Sequence, residues 1–172
     1  MTLLKSTIKS TGILFFLSLF LISCNDTSEE IDKEKPSISI NYTGGFPQSC
    51  TVLKKGEKYI IKVKVGDNIG LASYAIDIHN NFDHHTHDDQ GSLCDLSPLK
   101  TPVSPLIFME NYDITNNPKT YEISQEISIP TNIDSGDYHC QISVIDITGW
   151  QSRTSVDIKI QKLRKPKNLI YF

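Results

Sequence analysis

Hydrophobic and polar residues alternate in several short runs between positions 36 and 161 of the chain. A period of two is typical of strands that bury one face, and Gly, Asp, Asn and Pro residues separate the runs as turns do. No segment combines a helical period with capping residues. Many short strands in a stretch of this length predict an all-β fold of two packed sheets. The predicted strands cover residues 37–42, 58–65, 72–79, 120–129, 138–145 and 154–160.

The longest apolar run lies at the N-terminus, before the alternating region. Lys5 and Lys9 flank its start, and residues 12–22 carry no charge. The run is too short to span a bilayer comfortably, but it suits the apolar part of an export signal. It ends in L-I-S-C, which resembles the bacterial lipobox and predicts acylation of Cys24. We therefore predict a lipoprotein signal peptide over 1–23, the alternative being an ordinary secretory signal.

Polar and charged residues dominate positions 24–35, directly after the predicted lipidation site. Such a segment cannot bury a core, and we predict a flexible acidic tether there. Acidic stretches of this kind direct surface display in some Gram-negative lipoproteins, and a merely soluble linker is the alternative. The sandwich is expected over 36–161, followed by a basic tail over 162–172.

The formal net charge of the chain is −3, and removal of the signal peptide with its two lysines makes it more negative. An acidic protein is disfavoured as a nucleic-acid binder. We expect an outer-membrane lipoprotein, facing the periplasm or exposed at the cell surface. Its expected partners are the lipid membrane, through Cys24, and an outer-membrane receptor.

Two stretches share the pattern V-x-D-x-x-G-x-x-S, one over 65–73 and the other over 144–152. In each, the aspartate can close an Asx-turn and the glycine can take a positive φ. The repeat predicts two related turns between strands. Calcium binding by Asp67 and Asp146 is the functional alternative, although each turn supplies a single carboxylate.

The sequence D-S-G-D-Y-H-C over 134–140 resembles the D-x-G-x-Y-x-C start of strand F in immunoglobulin domains. In those domains the tyrosine bonds back to the backbone in a tyrosine corner, a role that falls here to Tyr138. The predicted strand at 58–65 lacks the usual cysteine, and the strand at 72–79 lacks the usual tryptophan. We predict an immunoglobulin-like two-sheet β-sandwich that is not of the antibody type.

Three cysteines follow Cys24, and an exported protein permits a disulfide between two of them. Cys140 should face the core, where its usual partner position holds no cysteine. We therefore favour a disulfide between Cys50 and Cys94, with Cys140 as a buried thiol, and the other pairings stay open.

The five histidines fall in two places, four of them over 79–87 and the fifth at 139. Alternation along the predicted strands turns His79 and His139 to the outer face of the sheet. These strands are neighbours in immunoglobulin-like sandwiches, so the two rings should lie side by side on an exposed face. In the following loop His85 and His87 share a face if the backbone is extended, and His84 then points away.

This convergence predicts a transition-metal site, because neutral imidazole binds Zn²⁺ and Cu²⁺ well. Zinc is the first expectation, since it accepts nitrogen and oxygen ligands together, and copper is the alternative. A solvated polar loop is the competing interpretation. The predicted ligands are His79, His85, His87 and His139. Additional or supporting residues are Asp77, Asp83, His84 and Asp88.

The expected function is metal capture, buffering or hand-over without catalysis. The alternative is a non-catalytic interaction or glycan-binding module of an outer-membrane receptor system. The stretch over 97–109 would then be a docking loop, although a loop covering the sandwich edge is favoured. A metal-dependent hydrolase or redox enzyme is the third interpretation, and the chain has neither an H-E-x-x-H motif nor a nucleophile elbow.

Three segments together resemble an uncharacterised family of Gram-negative lipoproteins, described only as domains of unknown function. They are residues 73–87, with the I-D-I-H and H-H-x-H motifs, G-D-Y-H over 136–139, and D-I-T-G-W-Q-S over 146–152. The resemblance covers residues 36–160 and implies an exported, lipid-anchored, immunoglobulin-like module. It implies no activity, so the expected metal site depends on the residues alone.

Overall fold

The computed structural model describes residues 31–87 and 94–162 of the chain, and these form β-strands and loops. Within those two ranges no helix is long and apolar enough to cross a membrane. The predicted signal peptide, Cys24, Asp88 and the tail beyond residue 162 lie outside the described residues. The strands are β1 (Ser37–Ser39), β2 (Thr51–Lys54), β3 (Lys58–Gly66), β4 (Leu71–Asn80), β5 (Phe108–Asp113), β6 (Thr120–Ser128), β7 (Gly136–Asp146) and β8 (Gln151–Gln161).

The strands form two sheets, which pack face to face as a sandwich. One sheet has the order β1-β3-β6 and the other the order β2-β8-β7-β4-β5. Neighbouring strands are antiparallel except for β2, which runs parallel to β8. Strands β3 and β6 take the places of B and E in an immunoglobulin domain, and β4, β7 and β8 those of C, F and G. The predicted immunoglobulin-like β-sandwich is therefore confirmed.

Aliphatic side chains at every second strand position fill the space between the sheets. Ile76 and Ile78 of β4 and Ile142 and Val144 of β7 are fully buried there. Each such side chain contributes about 1.5–3 kcal/mol by leaving water. Cys140 faces the same core, and burial raises the pKa of its thiol to about 12.

The tyrosine corner forms at the start of β7. The Tyr138 hydroxyl donates to the carbonyl of Asp134 at 2.9 Å and accepts a hydrogen bond from the Leu106 amide at 3.2 Å. The second bond ties the long connection between β4 and β5 to the sandwich. Leu106 is buried, so this part of the connection covers the core, whereas Val103 and Ile107 remain exposed.

The two turns with the shared sequence pattern have related hydrogen bonds. Oδ1 of Asp67 accepts from two backbone amides of its turn, and Oδ1 of Asp146 does the same. Gly149 has the expected positive φ of 97°. At Gly70 the reason for glycine differs from the expected one, because an added Cβ would lie 2.7 Å from the Asn117 carbonyl oxygen.

A disulfide joins Cys50 and Cys94, the pairing favoured by the sequence. It fastens the chain that follows the histidine-bearing loop to the segment just before β2. Asp32, which the sequence assigned to the flexible tether, is buried.

Candidate metal centre

His79 and His139 are direct partners across two neighbouring strands. His79 of β4 pairs in register with His139 of β7, and their ring centroids lie 5.6 Å apart. Both side chains point away from the core, because the residues beside them in sequence, Ile78 and Cys140, face inward. Strand alternation and strand order place the two rings together, as predicted.

The loop after β4 folds back over the outer face of the sheet. The Asn81 amide donates to the carbonyl of Asp137, and Phe82 packs edge-on against Tyr138 with a centroid distance of 5.2 Å. His84 then takes a positive φ of 61° and turns the chain. The turn brings the rings of His85 and His87 to within 5.5 and 5.2 Å of the His79 ring.

Three imidazole nitrogens meet at one point. Nε2 of His79 lies 3.2 Å from Nε2 of His87 and 3.3 Å from Nε2 of His85. One ligand atom from each of the three residues lies within 4.8 Å of the others. Two nitrogens on one tetrahedral zinc ion, each at 2.0–2.1 Å from the metal, stand about 3.4 Å apart. The spacing of this histidine cluster therefore suits a metal ion held by His79, His85 and His87.

Two carboxylates orient the rings from behind. Nδ1 of His79 lies 3.0 Å from Oδ1 of Asp77, and Nδ1 of His85 lies 2.6 Å from Oδ1 of Asp83. An ionised carboxylate only accepts hydrogen bonds, so the ring hydrogen belongs on Nδ1 in both histidines. The bond from His85 holds the pKa of Asp83 below its usual value. Carboxylate–histidine pairs of this kind support metal-binding imidazoles in many sites.

The positions of these hydrogens place two lone pairs, with no hydrogen between them, at the centre of the cluster. Since Nδ1 carries the hydrogen, Nε2 of His79 and Nε2 of His85 both present lone pairs, 3.3 Å apart. When both rings are neutral, they have no hydrogen to share between these nitrogens, and their lone pairs repel each other. A cation between the nitrogens would remove that repulsion, so the cluster can hold a metal ion by its chemical character as well as by its spacing.

His139 differs from the prediction in its surroundings. It was expected on an exposed face, but it is fully buried, because the loop from residue 81 onward covers that part of the sheet. Its Nε2 donates to the carbonyl of His85 at 3.2 Å, and its Nδ1 lies 2.9 Å from Oδ1 of Asp157 without forming a hydrogen bond. With both nitrogens directed elsewhere, the ring lies against the cluster and helps to position His85.

The remaining predicted residues are divided between support and other contacts. Asp77 and Asp83 orient ligand rings, whereas Nε2 of His84 donates to the carbonyl of Ser97 at 2.9 Å, away from the cluster. Sequence reasoning missed Asp157, which pairs in register with His139 across β7 and β8. Its outward position on the strand next to β7 was the signal that could have identified it.

The cluster is partly open to solvent. The side chains of His79 and His85 are 23% and 36% exposed. Structural zinc sites usually have four protein ligands, whereas three protein ligands leave a position for water or another molecule. The described residues supply three converging nitrogens, so they can hold a metal ion in a cluster that solvent reaches.

Among solved structures, the chain is similar to one described as the GspB Siglec domain. The two share 15% sequence identity with a TM-score of 0.46, and the match covers 80% of this chain and 63% of that chain. This chain therefore spans less than two thirds of that protein's length. No curated protein sequence matches the chain.

A family model matches residues 22–161, which include the whole sandwich and both parts of the histidine cluster. The match extends over most of the chain and agrees with the predicted resemblance to an uncharacterised family. The chain belongs to the family described as a domain of unknown function, DUF4625.

Proposed function

We propose that this protein is an extracytoplasmic lipoprotein that binds a transition metal, with zinc as the first candidate, through His79, His85 and His87. The observation that carries the proposal is the approach of three Nε2 atoms to 3.2–3.3 Å of separation around His79. Two of the three rings are also held by carboxylates in the tautomer that metal binding requires.

The ligand chemistry favours zinc or copper over harder cations. Imidazole nitrogens suit zinc and copper, whereas magnesium and calcium prefer oxygen ligands. Zinc has no geometric preference of its own from d electrons and fits a tetrahedral set completed by water. Copper(II) prefers tetragonal geometry, and a three-nitrogen site with open positions can adapt to it.

Capture and hand-over fit the geometry better than a purely structural metal. Two ligands, His85 and His87, lie on a loop, and the site is partly exposed. A partner's side chain or a free ligand can therefore enter the fourth position and take the metal. Anchoring through Cys24 would keep this exchange at the membrane, next to an outer-membrane receptor.

Calorimetric titration of the mature protein with Zn²⁺ and Cu²⁺ tests the proposal. The wild type should bind one equivalent of at least one metal with a dissociation constant below about 1 µM. His79→Ala should weaken that binding at least about 100-fold. His84→Asn is the matched control, because Asn accepts the positive φ of this position and the His84 nitrogen contacts Ser97, outside the cluster. Micromolar or weaker binding by the wild type, or binding unaffected by His79→Ala, would refute it.

Lipid anchoring needs its own experiment, because it depends on Cys24 and not on the sandwich. Cells given an alkyne-labelled fatty acid should incorporate the label into the wild type and not into Cys24→Ser. The variant should also leave the membrane fraction. An unlabelled wild type recovered in the soluble periplasmic fraction would contradict the lipoprotein assignment.

A second candidate function is a non-catalytic interaction module of a receptor system. The observation that favours it is a group of exposed apolar side chains, Val103, Ile107 and Met109, at the end of the covering loop and on β5. Val103→Ser with Ile107→Ser should then prevent co-purification with an outer-membrane receptor. A chelator should have no effect on that contact, whereas it should break a contact that depends on the bound metal.

A further inference from the structure

Three aspartates meet at the end of the sandwich opposite to the histidine cluster. Asp67 lies in the turn between β3 and β4, Asp146 ends β7, and Asp32 lies before β1. One carboxylate oxygen from each lies within 4.8 Å of the others. The group therefore collects three acidic side chains from three separate parts of the chain.

The two turn aspartates are each held by one oxygen only. Oδ1 of Asp67 accepts from the amides of Ile69 and Gly70 at 2.8 and 2.7 Å. Oδ1 of Asp146 accepts from the amides of Thr148 and Trp150 at 2.8 and 3.0 Å. These bonds fix the carboxylates in place and leave Oδ2 of each for another partner.

The second oxygens provide an observation independent of the clustering. Oδ2 of Asp67 and Oδ2 of Asp146 are buried and have no hydrogen-bond partner. Asp146 is 2% exposed, so water does not reach its carboxylate freely. A buried anionic oxygen without a donor is strongly unfavourable, and a bound cation is the natural partner for it.

Asp32 completes the group and is itself fixed in place. Its carboxylate accepts from Asn68 Nδ2 at 3.0 Å and from Thr148 Oγ1 at 2.9 Å, and its carbonyl accepts from Trp150 Nε1 at 3.0 Å. The bond from Asn68 lowers the pKa of Asp32, so the group is ionised at neutral pH. In the two described ranges no lysine or arginine forms a salt bridge with any of the three carboxylates.

We propose that Asp32, Asp67 and Asp146 bind a calcium ion. Calcium takes six to eight oxygen ligands at 2.3–2.6 Å, so two oxygens on one ion stand at most about 5 Å apart. The three carboxylate oxygens, all within 4.8 Å of one another, satisfy this condition. The carboxylates supply the negative charge, and water completes the coordination. The absence of nitrogen and sulfur donors in this group disfavours zinc and copper.

Calcium at this position would fasten the segment before β1 to both turns of the shared pattern. The site is independent of the histidine cluster, since His139 and Asp146 are separated along β7 by about 23 Å of extended strand. Failure of one site therefore does not imply failure of the other.

Terbium luminescence tests the proposal, because Tb³⁺ replaces Ca²⁺ in oxygen sites and Trp150 is the only tryptophan of the chain. Its indole nitrogen already contacts Asp32, so excitation of Trp150 should sensitise a bound Tb³⁺. Mature protein stripped with EDTA should show this emission when Tb³⁺ is added and should lose it when CaCl₂ displaces the Tb³⁺. In a separate measurement, its thermal stability should rise with CaCl₂ in about the millimolar range.

Matched variants decide whether the aspartates are responsible. Asp67→Asn keeps the Oδ1 acceptor and removes the charge, so calcium affinity should fall about tenfold or more, with circular dichroism unchanged. Asp146→Asn should do the same, and if it fails to fold, Asp67→Asn alone decides. Asp113→Asn, on exposed β5, and His79→Ala should bind calcium normally.

Two results would overturn the calcium site. The first is a wild type with neither Tb³⁺ emission nor a binding heat for CaCl₂ at about 5 mM. The second is an Asp67→Asn protein that binds calcium as the wild type does. Both results are distinct from a failed zinc titration, which concerns the histidine cluster only.

Discussion

The antiparallel pair formed by β4 and β7 has a different group of polar side chains at each of its two ends. At one end, imidazoles from a strand and a loop converge in a partly exposed cluster; at the other, carboxylates from two turns and the N-terminal segment converge in a mostly buried group. The first suits a metal that exchanges and prefers nitrogen, and the second suits a hard cation that stays in place. The same pair of strands thus carries two candidate sites whose exposure and donor atoms indicate different roles.

Removal of His79 should produce the largest difference between the two ends in their change of metal affinity. Its Nε2 is the atom that approaches both other ligands, so His79→Ala should weaken zinc binding by at least about 100-fold, or about 2.7 kcal/mol. Calcium binding should stay within twofold of the wild type. Parallel calorimetric titrations with both metals measure this, and a joint loss would show that the two ends are coupled.

Substitution of the supporting carboxylates should have a smaller effect. Asp83→Asn and Asp77→Asn weaken the hold on Nδ1 of His85 and His79, and each should reduce zinc affinity about 10- to 100-fold. Competition with a zinc-binding dye gives the affinity. Unchanged affinity in both variants would mean that the carboxylates do not fix the tautomers.

A change of pH should alter the zinc affinity of the histidine cluster more than the calcium affinity of the aspartate group. Protons compete with the metal for imidazole nitrogens, so zinc affinity should fall about tenfold or more between about pH 7.5 and 5.5. The pKa of Asp32 is lowered, so its carboxylate stays ionised through this range, and its contribution is lost only as the pH falls through that lowered value. Calcium affinity should therefore change little, and an equal loss of both affinities would contradict this distinction.

Opening the disulfide should have the smallest effect on binding. Cys50→Ser with Cys94→Ser releases the chain that follows the histidine-bearing loop, so zinc affinity should fall a fewfold while calcium affinity stays constant. The free energy of unfolding should decrease by about 2–4 kcal/mol. Urea titration and zinc calorimetry on the same samples measure both quantities. A zinc affinity equal to that of the wild type would show that the loop needs no such fastening.

The sequence predicted the sandwich because its central strands alternate strictly. Strand β2 has four residues, and β5 is largely exposed, so neither carries a strong period, and both were missed. The first predicted strand reached residue 42, whereas β1 ends at Ser39. Alternation is weak at sheet edges because the edge strands are only partly buried. Short or exposed edge strands are therefore hard to predict from the hydrophobic pattern.

The sequence also predicted that His79, His85 and His87 lie together, but the predicted exposure of His139 was wrong. Alternation shows which face of a sheet a residue occupies, and it does not show what covers that face. The cover depends on the path of the loop after β4, which is fixed by contacts such as that of Phe82 with Tyr138. Asp32 was assigned to a tether for the same reason, because its partners are distant in sequence.

The position of Cys140 has a consequence for the oxidation of this protein. Thiol–disulfide exchange requires a thiolate with access to the bridge, and burial gives Cys140 neither property, since its pKa is raised to about 12. Folding therefore prevents Cys140 from exchanging with the Cys50–Cys94 bridge once the sheets have closed.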